Sequence, residues 1–351
     1  MRDLPLVVLL ALVFGYFAHW APGFLDRINL ASIGRDTAVI GMMGMGLTLV
    51  IITGGIDLSC ASILALSASV MAILMRDHGG IALPVAAALG ASVLLGAGNA
   101  FLVTKLNAPP IVATLATLSL YRMQAIKMVT LISPLAPGFR TLGTGWASFL
   151  VFVALLAVGL AILGRTPWGR HVYAAGGNPA AARLSGVSVT RTIGWTYVAS
   201  GFTAGMAGLV AAATLDSVQG NMFMGYELDA VAAVVLGGTS MTGGRGGVFG
   251  TAIGASGGRS HALSHNSSYA VAPGGRGSLT SASCSPPCRT TSNDAWFSQA
   301  PLSSICRVRS RSSAQRSWVI GSPRPSNQSR SLEPSMWTSP PLQNIRCRST
   351  G

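Results

Sequence analysis

The sequence predicts an all-α, polytopic membrane protein, on three observations. Half of the 351 residues are hydrophobic and only 10% are charged, against about 25% charged in soluble domains. Apolar runs approaching the ~20 residues that cross a bilayer recur throughout residues 1–255. Small residues stand four apart, Gly201 with Gly205 and then Gly246 with Gly250 and Gly254, a spacing that lets helix backbones approach closely. Because polar backbone cannot face lipid unpaired, such runs span as helices. The expected fold is about eight transmembrane helices with a truncated last one, then a disordered tail.

The first run, 4–20, follows Arg2 much as a signal peptide would. It lacks a small-residue cleavage site and more spans follow, so it reads as the first transmembrane helix. Further spans fall near 37–53, 59–75, 81–104, 110–132, 147–163 and 193–213, with a shorter run at 229–238. A last run starts at Gly246 and stops at Ala255. Ten residues make about 15 Å of helix, half of a ~30 Å hydrocarbon core. Residues 256–351 cannot complete the span: they hold 24 Ser, 11 Arg, 9 Pro and no Lys. That composition buries too little surface to offset chain entropy. Such text, beginning abruptly inside a membrane helix, looks like a GC-rich gene translated out of frame. A genuine disordered basic tail and a folded accessory domain are the other readings. The chain therefore divides into a transmembrane domain, 1–255, and a Ser/Arg/Pro-rich tail, 256–351.

The net charge of +14 would ordinarily suggest a nucleic-acid partner. Residues 1–255 hold 13 Lys/Arg against 8 Asp/Glu, whereas the tail holds 11 Arg against 2 acids. The excess belongs mainly to the tail, and no nucleic-acid partner is expected. The polar loop 164–191 carries Arg165, Arg170, Arg183 and Arg191 and no acid, which makes it cytoplasmic by the positive-inside rule. Six spans precede it, so the N-terminus lies on the same side. Arg27, Arg35, Arg76 and Arg140 then fall in external loops, against that rule.

Reaction chemistry is not visible. No nucleophile stands with a partnered base, and the five histidines (19, 78, 171, 261 and 265) are scattered. Cys284 and Cys288 form half of a zinc-like site, with no second ligand pair at suitable spacing. No catalytic residue, metal or cofactor is expected. "GGTSMTGGRGG" has the glycine density of a phosphate loop but no lysine, and its glycines read as turn and packing residues. Met42, Met43 and Met45 read as core filler.

Four features stay open on the residues alone. Asp57 and Ser59 in "GGIDLS" either border a translocation pathway, where membrane acids tend to face cavities, or cap the helix after a glycine break. Glu227 and Asp229 in "GYELDA" either share that pathway or sit as carboxylates at a helix start. Arg122 and Lys127 lie inside a span, so either the helix is shorter than drawn or they face a wet cavity. "NPAAARLSG" (178–186) reads as a short helix, 180–184, between Pro179 and Gly186. It suits docking into a protein groove, or it is an ordinary positive loop.

Three stretches, "GGIDLSCASILALS" (54–67), "YAAGGNPAAARLSGV" (173–187) and "GYELDAVAAVVLGGTSMTGGRGGVFGTAIGA" (225–255), resemble the ribose/xylose/arabinose (and autoinducer-2) branch of bacterial ABC importer permeases. The resemblance covers residues 1–255 and none of the tail. It implies a multi-pass protein of the bacterial cytoplasmic (inner) membrane that moves a monosaccharide or related polyol by alternating access. It also implies partners: a separate ABC ATPase subunit that hydrolyses ATP, a periplasmic sugar-binding protein, a second permease copy or sister permease, and membrane lipid. Asn178, Ala181, Ala182, Arg183 and Gly186 match the family's ATPase-coupling loop, with Asn178, Arg183 and Gly186 as the expected contacts. The family often carries an acid where this chain has Ala180. A transporter of another class would show acid–base pairs in spans and internal repeats, neither of which is clear here. An inactive, truncated permease product is the remaining reading.

Overall fold

The computed structural model describes residues 4–21, 24–136, 138–144 and 146–256. The expectations placed on the tail, including Cys284 and Cys288, lie outside the described residues. The described residues are helical, with one isolated backbone bridge, Ile132 to Val218.

The order is α1 (Leu4–Trp20), α2 (Arg27–Ile52), α3 (Cys60–His78), α4 (Ala82–Thr104), α5 (Pro110–Met128), a short 3-10 turn (Phe139–Gly143) and α6 (Ala147–Arg165). Then come α7 (Pro167–Gly177), α8 (Pro179–Leu184), α9 (Val189–Leu215), α10 (Tyr226–Leu236) and a final helix, α11, over 248–256. Five helices among the described residues, α2, α3, α4, α6 and α9, are long and apolar enough to cross a membrane. The expected count of about eight is not reached by that measure. At 17 residues α1 is short, α5 carries Arg122 and Lys127, and α10 is only 11 residues long.

Packing divides the spans into two kinds. α2, α3 and α9 are mostly buried, whereas α4 and α6 leave most of their apolar surface uncovered. A helix that is oily yet uncovered is matched to lipid. Met42, Met43, Leu47, Ile51, Ile63, Leu64 and Met71 fill the centre. The methionines expected as core filler are fully buried there. α2 starts ten residues before the expected span because Arg27, Arg35 and Asp36 lie within the helix. Arg35 donates to Ser32 Oγ, one turn back, at 2.8 Å.

Glycines set two close crossings. A Cβ on Gly201 of α9 would stand 2.5 Å from the Ser92 carbonyl, and one on Gly96 of α4 would stand 2.6 Å from the Tyr197 carbonyl. Neither helix can carry a side chain there and keep the contact. On α11, a Cβ on Gly250 or Gly254 would strike the carbonyl of Gly237 or Ala233. The last helix is thereby seated on α10.

Candidate functional site

The segment 164–191 is more ordered than its composition suggests. α7 begins where Thr166 accepts a hydrogen bond from the Gly169 amide at 3.3 Å, with Pro167 in the first turn. Asn178 ends α7 and caps α8, its Oδ1 accepting from the Ala181 amide at 3.0 Å, with Pro179 following. Gly186 stops α8 at φ +82°, and its amide donates to the Arg183 carbonyl at 3.0 Å. The short helix expected at 180–184 is present, and α7 before it was not expected.

The residues of this elbow play different parts. Ala182 is buried against Ala175 and Val189, so it anchors α8 to the bundle. Asn178, Ala181, Arg183 and Gly186 face outward. Leu184 is 92% exposed at the tip, an apolar knob that the sequence reading did not single out. Arg165, Arg170, Arg183 and Arg191 are all exposed, giving the elbow a positive surface.

Behind the elbow, α7 is joined to the bundle through backbone. A Cβ on Gly176 would overlap the Ile52 carbonyl oxygen. That oxygen, at the end of α2, also accepts from the Gly244 amide at 2.8 Å. Tyr173 donates to the Gly246 carbonyl at 2.8 Å. Burial raises the Tyr173 phenol above its ordinary value, so it stays a neutral donor at physiological pH. The elbow, the end of α2 and the α10–α11 turn meet at one point.

A few residues beyond Ile52 the chain enters a buried polar node. Gly54 turns at φ +83°, and a Cβ on Gly55 would stand 2.6 Å from the Tyr197 hydroxyl. Asp57 is fully buried. Its Oδ1 accepts from the Ser59 amide at 3.0 Å and the Ser59 hydroxyl at 2.7 Å, and its Oδ2 accepts from Ser200 on α9 at 2.7 Å. Asn99 of α4 donates to Ser59 Oγ at 2.6 Å. The Asn99 carbonyl oxygen and the Tyr197 hydroxyl are buried with no hydrogen-bond partner among the described residues. Unpaired groups of that kind are rare in packed interiors.

Glu227 and Asp229 do not join this node. Both lie in the first turn of α10, where Glu227 accepts from the Gly225 amide at 3.1 Å, the placement that suits a helix-start carboxylate. Asp229 is exposed. Arg122 has a different fate from either expectation. α5 runs past it, and its buried guanidinium donates to the Met222 carbonyl at 2.7 Å and the Gly220 carbonyl at 3.4 Å. Lys127, by contrast, is exposed. Arg122→Met keeps the aliphatic stem and loses both bonds. We expect it to cost about 2–3 kcal/mol, since bonds to charged donors are the stronger ones. Thermal unfolding in detergent checks this, and an unshifted transition would remove the clamp.

An oily, glycine-stitched helical bundle with five helices long and apolar enough to cross a membrane defines a multi-pass α-helical membrane protein. More particularly, the chain belongs to the family described as "Branched-chain amino acid transport system / permease component", whose model matches residues 29–256. It is 38% identical over 267 residues to the ribose import permease protein RbsC of Haemophilus influenzae, covering 71% of this chain and 80% of that protein. The RbsC of Escherichia coli strain K12 is 39% identical over 269 residues, covering 73% and 83%. The fructose import permease protein FrcC of Rhizobium meliloti is 34% identical over 268 residues, covering 72% and 74%. No solved structure matches the chain.

Proposed function

We propose that the chain is the permease subunit of an ATP-binding cassette importer for a monosaccharide or a related small polyol. It moves substrate by alternating access, driven by a separate ATPase subunit that docks on the 178–186 elbow. It would work with a second permease copy or sister permease and a periplasmic binding protein that delivers the sugar. The import permeases for ribose and fructose named above support the substrate class, as does an autoinducer 2 import permease, LsrC of an Enterobacter species, at 34% identity.

The observation that carries this reading is the contact of Gly176 with the Ile52 carbonyl. α8 presents Arg183 and Leu184 outward, α7 holds α8, and α7 rests directly on the end of α2. The turn after α2 leads to Asp57, which is bonded to α9 through Ser200. A push on the elbow would therefore pass through the side-chain-free contact of Gly176 with Ile52 and on through the Asp57–Ser200 bond to the helix crossings at the centre. The unpaired Asn99 carbonyl and Tyr197 hydroxyl supply partners for a second helix arrangement. Asp57 and Ser59 serve as the joint of that movement, and Glu227 and Asp229 start the half-length helix beside it.

Replacement of Arg183 or Gly186 by Asp tests the docking role. Arg183 is exposed, so insertion and folding should persist in Arg183→Asp; Gly186→Asp adds left-handed backbone strain of about 1–2 kcal/mol at φ +82°, which folding should survive. ATP-driven uptake into vesicles holding the full complex should fall at least tenfold, as expected when a central interface anchor is replaced by a repulsive charge. Uptake unchanged in both variants would remove the elbow from coupling.

A second reading rests on one specific observation. The family match stops at residue 256, where the composition turns to Ser, Arg and Pro. We propose that residues 256–351 are out of frame and that the chain is a truncated, inactive form. Reading the gene in the other two frames after codon 255 decides it: an apolar, glycine-containing continuation supports the reading, and its absence ends it.

A further inference from the structure

An apolar groove of about 730 Å³ opens on the side of the bundle between α6 and α9. Its floor is Met45 and Leu49 of α2, which packs against both helices. One wall is the α6 stripe Leu155, Val158 and Ile162; the other is the α9 stripe Trp195, Val198 and Phe202. Both stripes follow the three- and four-residue spacing of a single helix face. The two walls converge on the same end of the bundle, because α6 finishes and α9 begins at the 164–191 segment.

At that end both stripes close with an arginine. Arg165 follows Ile162 by three residues, and Arg191 precedes Trp195 by four. Both arginines are exposed, and neither takes part in the two ion pairs among the described residues, Arg76–Asp77 and Arg140–Asp216. Trp168 and Trp195 line the groove at the same level, Trp195 being 61% exposed. Tryptophan is the side chain that favours the membrane–water boundary. From Leu155 to Arg165 is ten residues, about 15 Å of helix, the thickness of one leaflet's hydrocarbon. The groove thus has the depth of a single acyl chain and an aromatic rim, and one turn beyond its stripe each wall helix carries an exposed arginine, Arg165 or Arg191, within a long side chain's reach of where a headgroup would lie.

We infer that this groove binds one anionic phospholipid, its acyl chain between α6 and α9 and its phosphate against Arg165 and Arg191. Depth argues for a lipid of one leaflet, and the paired cations argue for an anionic headgroup. A second copy of the chain would not call for either. The inference is independent of the transported substrate and of the ATPase.

The test uses the full chain in mild detergent, titrated with phosphatidylglycerol or phosphatidylcholine of identical acyl chains and read by native mass spectrometry. Phosphatidylglycerol should be retained roughly tenfold better, the scale expected for two arginines at an anionic headgroup. R165Q/R191Q should bring the two lipids level. Gly159 lines the groove, and a Cβ there meets only Val248 at 3.8 Å, so Gly159→Phe adds bulk to the groove and should reduce retention of both lipids. Excess glycerol phosphate should not displace the bound lipid. Equal retention of both lipids by the parent chain, a preference that survives R165Q/R191Q, or displacement by glycerol phosphate would overturn the inference. So would a Gly159→Phe chain that loses a dimer mass while keeping its lipid.

Discussion

Replacing Asp57 by Ala should lower the melting temperature of the detergent-solubilised chain by roughly 10 °C. The carboxylate is fully buried and accepts three hydrogen bonds, two from Ser59 and one from Ser200. Its removal leaves three donors without an acceptor. Each buried, unsatisfied group costs about 1–3 kcal/mol, and the hydroxyls recover part of that by rotating. A net loss on the order of 3–5 kcal/mol converts to that shift for a domain of this size. Ser200→Ala alone leaves the buried Asp57 Oδ2 without its donor and should cost about 2–3 kcal/mol, since bonds to a charged acceptor are the stronger ones. In the Asp57→Ala background, Ser200→Ala should be neutral or restore part of the loss, because the orphan hydroxyl goes with it. A chain that melts within a degree or two of the parent after Asp57→Ala would show that the node holds nothing together.

Gly201→Leu should abolish the folded, monodisperse species altogether. The Cβ alone would press on the Ser92 carbonyl at 2.5 Å, and that atom is backbone, which cannot swing aside. α9 would have to retreat from α4, drawing Ser200 away from Asp57. Gly201→Ala should cost about 1–3 kcal/mol, the range for overpacking. Gly194, two turns earlier on α9, is the control. A Cβ there meets only Ala100 and Thr104 side-chain carbons at 3.9 Å, so Gly194→Ala should leave the elution profile unchanged or improve it. Size-exclusion chromatography of tagged chains reads all three, and a normal peak for Gly201→Leu would refute the close crossing.

The sequence made the helical class and most boundaries legible, because an apolar run of bilayer length has few other outcomes. Pro110 starts α5 and Ala147 starts α6 where expected. Charge misled at α2, where Arg27 and Arg35 read as loop and are helical. α7 went unseen because its apolar face, Trp168 with Val172 and Ala175, is confined to 11 residues and interleaved with Arg170, His171 and paired glycines, too short and polar to stand out beside bilayer-length runs. Thr166 followed by Pro167 was nonetheless a helix-start signal. α8 was legible from Pro179 and Gly186, residues whose backbone preferences act locally. What joins distant segments was not. Ser200 lies 143 residues from Asp57, and Arg122 reaches carbonyls about a hundred residues away. Nothing local marks such pairings, so the bonds that Asp57 and Arg122 make could not be read from the residues around them.

Leu184 stands almost wholly uncovered at the end of a six-residue helix. A single uncovered leucine is ordinary on a protein surface. On the elbow proposed above to receive an ATPase, it is apolar area that leaves water only when a partner covers it. The hydrophobic gain of docking, on the order of 2 kcal/mol for one leucine, would then be concentrated at that one position.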